Sequence, residues 1–143
     1  MEKLEILKRY GQTNRYGSLL GLHLDFVESG VVNYRTKVLK EHLATEKSAH
    51  GGFLASIFDQ IVGTAALSKA INDGKVVSTV ELKMNFLKPA MLDDELLGEG
   101  RVINNGKRLY TVEGKIYNQK KELLLTGLAT LNAYPFAKSD MNF

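Results

Sequence analysis

Between residues 51 and 68 the only ionised side chain is Asp59. At about 100° per residue, Asp59 shares a helix face with Gly52, Ala55, Gly63 and Ala66, opposite the large apolar residues. A solvated face normally carries lysines and glutamates. Small residues there let another backbone or a flat ligand approach, and a partly desolvated carboxylate among them is suited to act as a base. An aspartate bonded structurally to a neighbouring loop or subunit would give the same pattern. Gly51 and Gly52 stand where loop becomes helix, so their N–H groups lack helical acceptors and lie at the positive end. Donors so placed could hold the oxyanion that develops on an ester or thioester carbonyl. Gly-Gly also simply permits a tight entry into a helix. His50, just before them, could orient the loop or touch a thioester, or serve as a hydrogen-bonding structural residue.

Other chemistries fail for want of parts. Ser48, Ser56, Ser78 and Thr79 lack a nucleophile-elbow context, and His23, His42 and His50 have no metal-ligand spacing. The chain has no cysteine, which excludes disulfides, a thiolate nucleophile and thiolate metal sites. No Gly-rich phosphate loop is present. The net charge of +3 comes from cations interleaved with acids along the whole chain. That distribution argues against a nucleic-acid partner and is compatible with a phosphate-bearing small ligand. Lys107 and Arg108, in a turn after Asn104-Asn105-Gly106, are candidate phosphate contacts, although solvated turn charges read the same way.

The elements that must position these residues follow from periodicity. Residues 2–10 set Leu4, Ile6 and Leu7 among charges at helical spacing, which predicts a short amphipathic helix ended by Gly11. Residues 20–27 and 31–39 read as a hairpin around Glu28-Ser29-Gly30. Residues 40–50 form a polar loop long enough to be functional. Residues 52–71 carry Leu54, Ile57, Phe58, Ile61, Val62 and Ala65 on one stripe, the mark of a long helix. Residues 76–86, 95–103, 108–117 and 122–131 read as four strands in antiparallel succession. The fold class is therefore α+β: one long central helix, an antiparallel sheet of about six strands and a short N-terminal helix. A length of 143 residues suits a single domain with its core over about 20–131, and residues 135–143 are expected to fray. No apolar run is long enough to span a bilayer, and the amino terminus lacks the pattern of a secretory signal, so the expected place is the cytoplasm without membrane association.

Together, His50-Gly51-Gly52, Asp59 nine residues after the histidine, and the run from Val77 to Ala90 containing Phe86-Leu87-Lys88-Pro89-Ala90 form a fairly specific set. They resemble the hotdog-fold acyl-CoA thioesterases, in the branch that includes the phenylacetate-pathway enzymes. The similarity runs from about Leu20 to Leu131, with Gly106-Lys107-Arg108 fitting the family's glycine-basic turn. The resemblance implies a sheet wrapped around the helix, and homodimers formed edge to edge that often pair into homotetramers. It places active sites between subunits. There the N–H matching Gly51 polarises the thioester carbonyl, and the carboxylate matching Asp59, from the other subunit, activates water or attacks directly. His50 would lie near the thioester. Thr79 occupies the place of a serine or threonine that positions the nucleophilic water. Gly52 and Ser56 are assigned as substrate contacts, and Lys88, Lys107 or Arg108 would meet the phosphates of CoA.

One departure stands out. Relatives often carry an asparagine six or seven residues before the histidine, where this chain has Leu43 and Ala44, so either Glu46 or His42 substitutes or the loop is arranged differently. The leading expectation is hydrolysis of an acyl-CoA to free acid and CoA without metal or other cofactor. The alternatives are a hotdog hydratase or dehydratase, a non-catalytic acyl-CoA-binding or regulatory module, and a structural interaction domain with Asp59 in an ion pair.

Overall fold

The computed structural model describes residues 3–141. Along the chain run α1 (Lys3–Thr13), α2 (Arg15–Leu19), β1 (His23–Glu28), β2 (Val31–Lys37), α3 (Gly51–Ala70), β3 (Lys75–Phe86), β4 (Glu95–Asn105), β5 (Leu109–Tyr117) and β6 (Leu123–Pro135). The predicted apolar stripe is the centre of this fold: Ile57, Phe58, Ile61, Val62 and Ala65 of α3 are almost wholly excluded from solvent. At roughly 1.5–3 kcal/mol for each large apolar side chain removed from water, this stripe is what holds α3 against the sheet. The helix starts sharply because His50 caps it, its Nδ1 accepting the Gly52 N–H at 2.7 Å. After Ala70 a 3-10 turn leads into Gly74, whose φ of 67° is the left-handed conformation that glycine takes without strain. Among the described residues the stretch Gly51–Asp73 is the one helix long and apolar enough to span a bilayer, and 67% of its most apolar window is packed inside the protein.

The six strands form one antiparallel sheet in the order β1-β2-β4-β5-β6-β3. Sequence succession would set β3 beside β4. Instead β3 pairs with β6 from Lys75↔Pro135 to Phe86↔Leu125 and becomes an edge, while β4 pairs with β2. The connection at 87–94 makes this crossing. It runs against the loop before α3, with Ala49 N–H on Ala90 O and Leu92 N–H on Lys47 O, both at 2.8 Å. These bonds carry the chain past the start of the helix to the far side of the sheet.

The helical region near the amino terminus is longer than its sequence suggests. Helix α1 runs through Gly11 to Thr13, and α2 follows at once. Asn14 is the reason. Its Oδ1 caps α2 by accepting the Gly17 N–H at 3.0 Å, and its Nδ2 donates to Gln60 Oε1 at 2.6 Å. Both helices are thereby fixed to α3. A second, smaller apolar cluster forms around Leu7, Leu67 and Val76, with Tyr10, Phe136 and Met141 packed on it. The segment after β6 is therefore folded back as far as Met141 rather than frayed; Glu2 of the predicted helix and residues 142–143 lie outside the described residues.

His42 anchors the loop before α3. Its ring stacks on Phe53 with centroids 3.8 Å apart, and its Nδ1 accepts the Leu39 N–H at 3.0 Å. Burial holds its pKa below the ordinary histidine value, against a smaller opposing pull from Glu41. The unfolded chain thus binds the proton more readily, so the stability His42 contributes is complete above a pH of about 6.5 and is lost as pH falls below that toward the folded-state value. Thermal melts should show stability falling from neutral pH into the mildly acid range, with a shallower fall in His42→Phe. An unchanged slope in that variant would assign the loss to other groups.

Candidate active site

Asp59 lies half-buried midway along α3, facing β3, where Thr79 Oγ1 donates to its Oδ1 at 2.7 Å. A β-bulge between Thr79 and Glu81 shapes this wall. Val77 and Thr79 face the helix by strand alternation, and the extra residue at Val80 then turns Leu82 inward and Glu81 outward. An apolar side chain is thereby set where a second carboxylate would otherwise stand. The resulting cavity, of about 330 Å³, is lined by Asp59, Thr79, Ser56, Gly63 and Leu82, and by Tyr10, Tyr16 and Met141 from outside the central layers. Tyr16 O–H meets Ser56 Oγ at 2.7 Å, and Ser56 Oγ itself donates to Gly52 O at 2.8 Å, so the tyrosine is the donor between them. Of the small residues expected beside Asp59, Ala55 and Gly63 line this cavity, whereas Ala66 is fully buried in the core.

The helix start holds a second set of candidate groups. His50 already accepts from Gly52, so of the two glycines it is Gly51 whose N–H meets no acceptor among the described residues. Gly51 is exposed, and a methyl group at its Cα would stand 3.6 Å from the ring of Phe86 at the end of β3. This N–H lies at the positive end of a helix of 20 residues. Eight residues at 1.5 Å each put it roughly 12 Å along the axis from Asp59, too far for both to act on one carbonyl group.

The basic candidates separate. Lys88 follows β3 near the start of α3 and pairs with Glu122 at 2.8 Å, which holds the Glu122 carboxyl below its ordinary range, with help from Asn118. Lys107 and Arg108 sit at the opposite end of the sheet, next to the first residue of β3, where Lys75 Nζ donates to Lys107 O at 2.8 Å. In the loop, Leu43 bridges to Ala49 and Ala44 N–H bonds to Ser48 O, so neither supplies a polar side chain. His42 turns Nδ1 to the Leu39 N–H, and Glu46 is exposed. Among the described residues no three His, Asp or Glu side chains converge as a metal site would require. Sequence reading had no means of finding Tyr10, Tyr16 and Met141, because tertiary packing brings them in from segments without a motif.

A single helix gripped by a curled antiparallel sheet, with a carboxylate facing the edge strand and free N–H donation at the helix start, is the hotdog arrangement. Residues 46–125 match the model of the thioesterase superfamily, more than half of the chain, and the protein belongs to that family. It is a thioester hydrolase of the hotdog fold. The fold is that of the Escherichia coli PaaI protein from the phenylacetic acid degradation operon, with a TM-score of 0.86 at 20% identity over 92% of this chain and 93% of that one. A hypothetical thioesterase of Streptococcus pneumoniae, solved with coenzyme A, is 27% identical with a TM-score of 0.74 over 80% of this chain and 89% of that one. An uncharacterized acyl-CoA thioester hydrolase of Haemophilus influenzae is 28% identical over 91 residues, 64% of this chain and 58% of the relative.

Proposed function

We propose that this enzyme hydrolyses acyl-CoA thioesters to the free acid and CoA, with Asp59 acting on a carbonyl polarised by Gly51 of a second copy. The observation that carries this reading is the pairing of Asp59 with Thr79 inside a cavity, about 12 Å along the helix from the Gly51 N–H, which meets no acceptor among the described residues. Neither half suffices alone. A general base removes the proton from water as the oxygen adds to the thioester carbon; the charge on the carbonyl oxygen is held by Gly51 N–H; collapse expels the CoA thiolate, which takes up the proton. Direct attack by Asp59 would give an acyl anhydride that water then cleaves. The Thr79 bond occupies one carboxylate oxygen and leaves the other for either role. Coenzyme A bound to the pneumococcal relative supports CoA as the carrier.

The edge strand supplies the means of assembly. β3 is 12 residues long, and its row of unpaired backbone groups would be closed by a second β3 running antiparallel. Gly51 neighbours Phe86 and Asp59 neighbours Thr79, so a composite site needs Phe86 of one chain across from Thr79 of the other. With the bulge counted as one rung, the two-fold axis then falls at Lys83. The same axis carries the turn of Lys107 and Arg108 toward the Lys88 end of its neighbour, where CoA phosphates would gather. Because the chain has no cysteine, Lys83→Cys should give a disulfide-linked dimer on oxidation, and His23→Cys on the opposite edge should not. A dimer in solution that Lys83→Cys fails to link would place the interface elsewhere.

Free-thiol release from phenylacetyl, short-, medium- and long-chain CoA esters tests the activity itself. At least one ester should be cleaved by the wild type, and Asp59→Ala, still folded and still oligomeric, should lose most of that rate. A wild type that binds CoA esters but cleaves none would instead be a binding module.

A further inference from the structure

The cavity beside Asp59 has a direction. Along α3 it passes from Ser56 and Asp59 to Gly63 and Leu67, and along β3 from Thr79 to Val77. Its first part holds the polar groups of Ser56, Asp59 and Thr79, with Leu131 opposite Thr79 on the next strand; beyond Gly63 its walls are the aliphatic side chains of Leu67 and Val77. From Asp59 to Leu67 is eight residues of helix, or roughly 12 Å. Tyr10 arrives from α1 along one side, its hydroxyl accepting from Asn14 at 3.3 Å beside Gln60, and Met141 arrives from the segment after β6. Both pack on the small cluster around Leu7, Leu67 and Val76 rather than on the main core. Among the described residues no lysine, arginine or histidine lines the cavity.

We propose that Met141 forms the end wall of the acyl site, with Tyr10 along its side, and limits this enzyme to uncharged, apolar acyl groups of medium length. This rests on the hydrolase reading above, since it is Asp59 that marks where the carbonyl carbon must sit. The run of roughly 12 Å from Asp59 to Leu67 sets the length of chain that this cavity takes. An acyl chain laid from Asp59 toward Leu67 ends against the methionine. A chain ending in a carboxylate would bring an anion to that wall with no cation among the described lining residues to receive it.

The test uses two readouts on the full chain: kcat/KM for straight-chain acyl-CoA esters of four, eight, twelve and sixteen carbons, and the thermal shift produced by the matching S-alkyl-CoA thioethers, which cannot be hydrolysed. Wild type should favour the eight-carbon member in both, and should cleave butyryl-CoA at least about tenfold faster than succinyl-CoA. Met141→Ala should raise the twelve- to eight-carbon ratio about tenfold, and Met141→Trp should lower the eight- to four-carbon ratio by a similar factor. Ratios are insensitive to a general loss of folded protein. If both variants keep the wild-type length profile in thioether binding, or if succinyl-CoA is cleaved as well as butyryl-CoA, the end-wall assignment is overturned. If the thioether profile shifts as stated but no ester is cleaved, the wall stands and the hydrolytic reading falls.

Discussion

Asp59→Asn is expected to lower kcat/KM for thioester cleavage by about 10²- to 10⁴-fold, with Tm almost unchanged. Asparagine keeps the shape of the side chain and an oxygen that can accept from Thr79, so the contact at 2.7 Å survives. What disappears is the ability to take a proton from water or to attack carbon. Thr79→Val makes the complementary change: the carboxylate stays and its positioning partner is lost. That variant should lose activity mainly in kcat and by a smaller factor, about tenfold, because a mobile carboxylate is still a base. Steady-state rates for the two single variants and the double variant separate these roles. If Asp59→Asn retained more than a tenth of the wild-type rate, the reacting group would have to be sought elsewhere in the cavity.

The second large effect concerns the backbone on which that chemistry rests. Gly127→Ala should cost about 3 kcal/mol of stability, a fall in Tm on the order of 10 °C. Gly127 lies on β6 opposite Met84 of the edge strand. A methyl group there would overlap the carbonyl oxygen of Lys83 and stand 2.9 Å from Phe58 Cζ and 3.0 Å from Met84 Cα. The first and last of these are backbone atoms and cannot yield without opening the β3–β6 ladder. Gly98→Ala provides a contrast, since its new methyl group would overlap the Cδ1 tip of Ile61, the end of a rotatable side chain. It should cost less. Urea denaturation of both variants would check the order, and equal losses would show that Ile61 yields no more readily than the strand backbone.

Much of this fold could be read from local pattern. Leu54, Ile57, Phe58, Ile61, Val62 and Ala65 repeat at the helical period, and all are buried in the protein. Strand boundaries fell within a few residues because alternation and turn residues are local signals, as at Glu28-Ser29-Gly30, where Gly30 has a φ of 85°. The neighbour of β3 could not be read that way. Pairing is a long-range contact, and the loop bonds from Ala49 and Leu92 that carry the chain across leave no periodic trace. Helix α2 was hidden for another reason: its five residues include a glycine and a serine, and it exists because Asn14 reaches Gln60, 46 residues away. At the site, Asp59 was conspicuous as a lone charge in an apolar helix. Its bond to Thr79 and the lining by Tyr10 and Met141 depend on which strand and which chain segments pack there.

The division of the apolar interior into two clusters has a consequence for how this enzyme can change. The main core ties α3 to the sheet through residues such as Phe58 and Ile61, both fully buried. The lesser cluster around Leu7, Leu67 and Val76 is where Tyr10 and Met141 are held. Substitution in the first endangers folding, as deletion of a large core side chain commonly costs about 2–5 kcal/mol. Met141 is only half-buried, and exchanges there draw on a much smaller share of the total stability. Descendants of such a chain can therefore drift in diet while inheriting an unaltered skeleton. Innovation is cheapest in the segments that fold back over the domain, and conservatism is enforced where helix meets sheet.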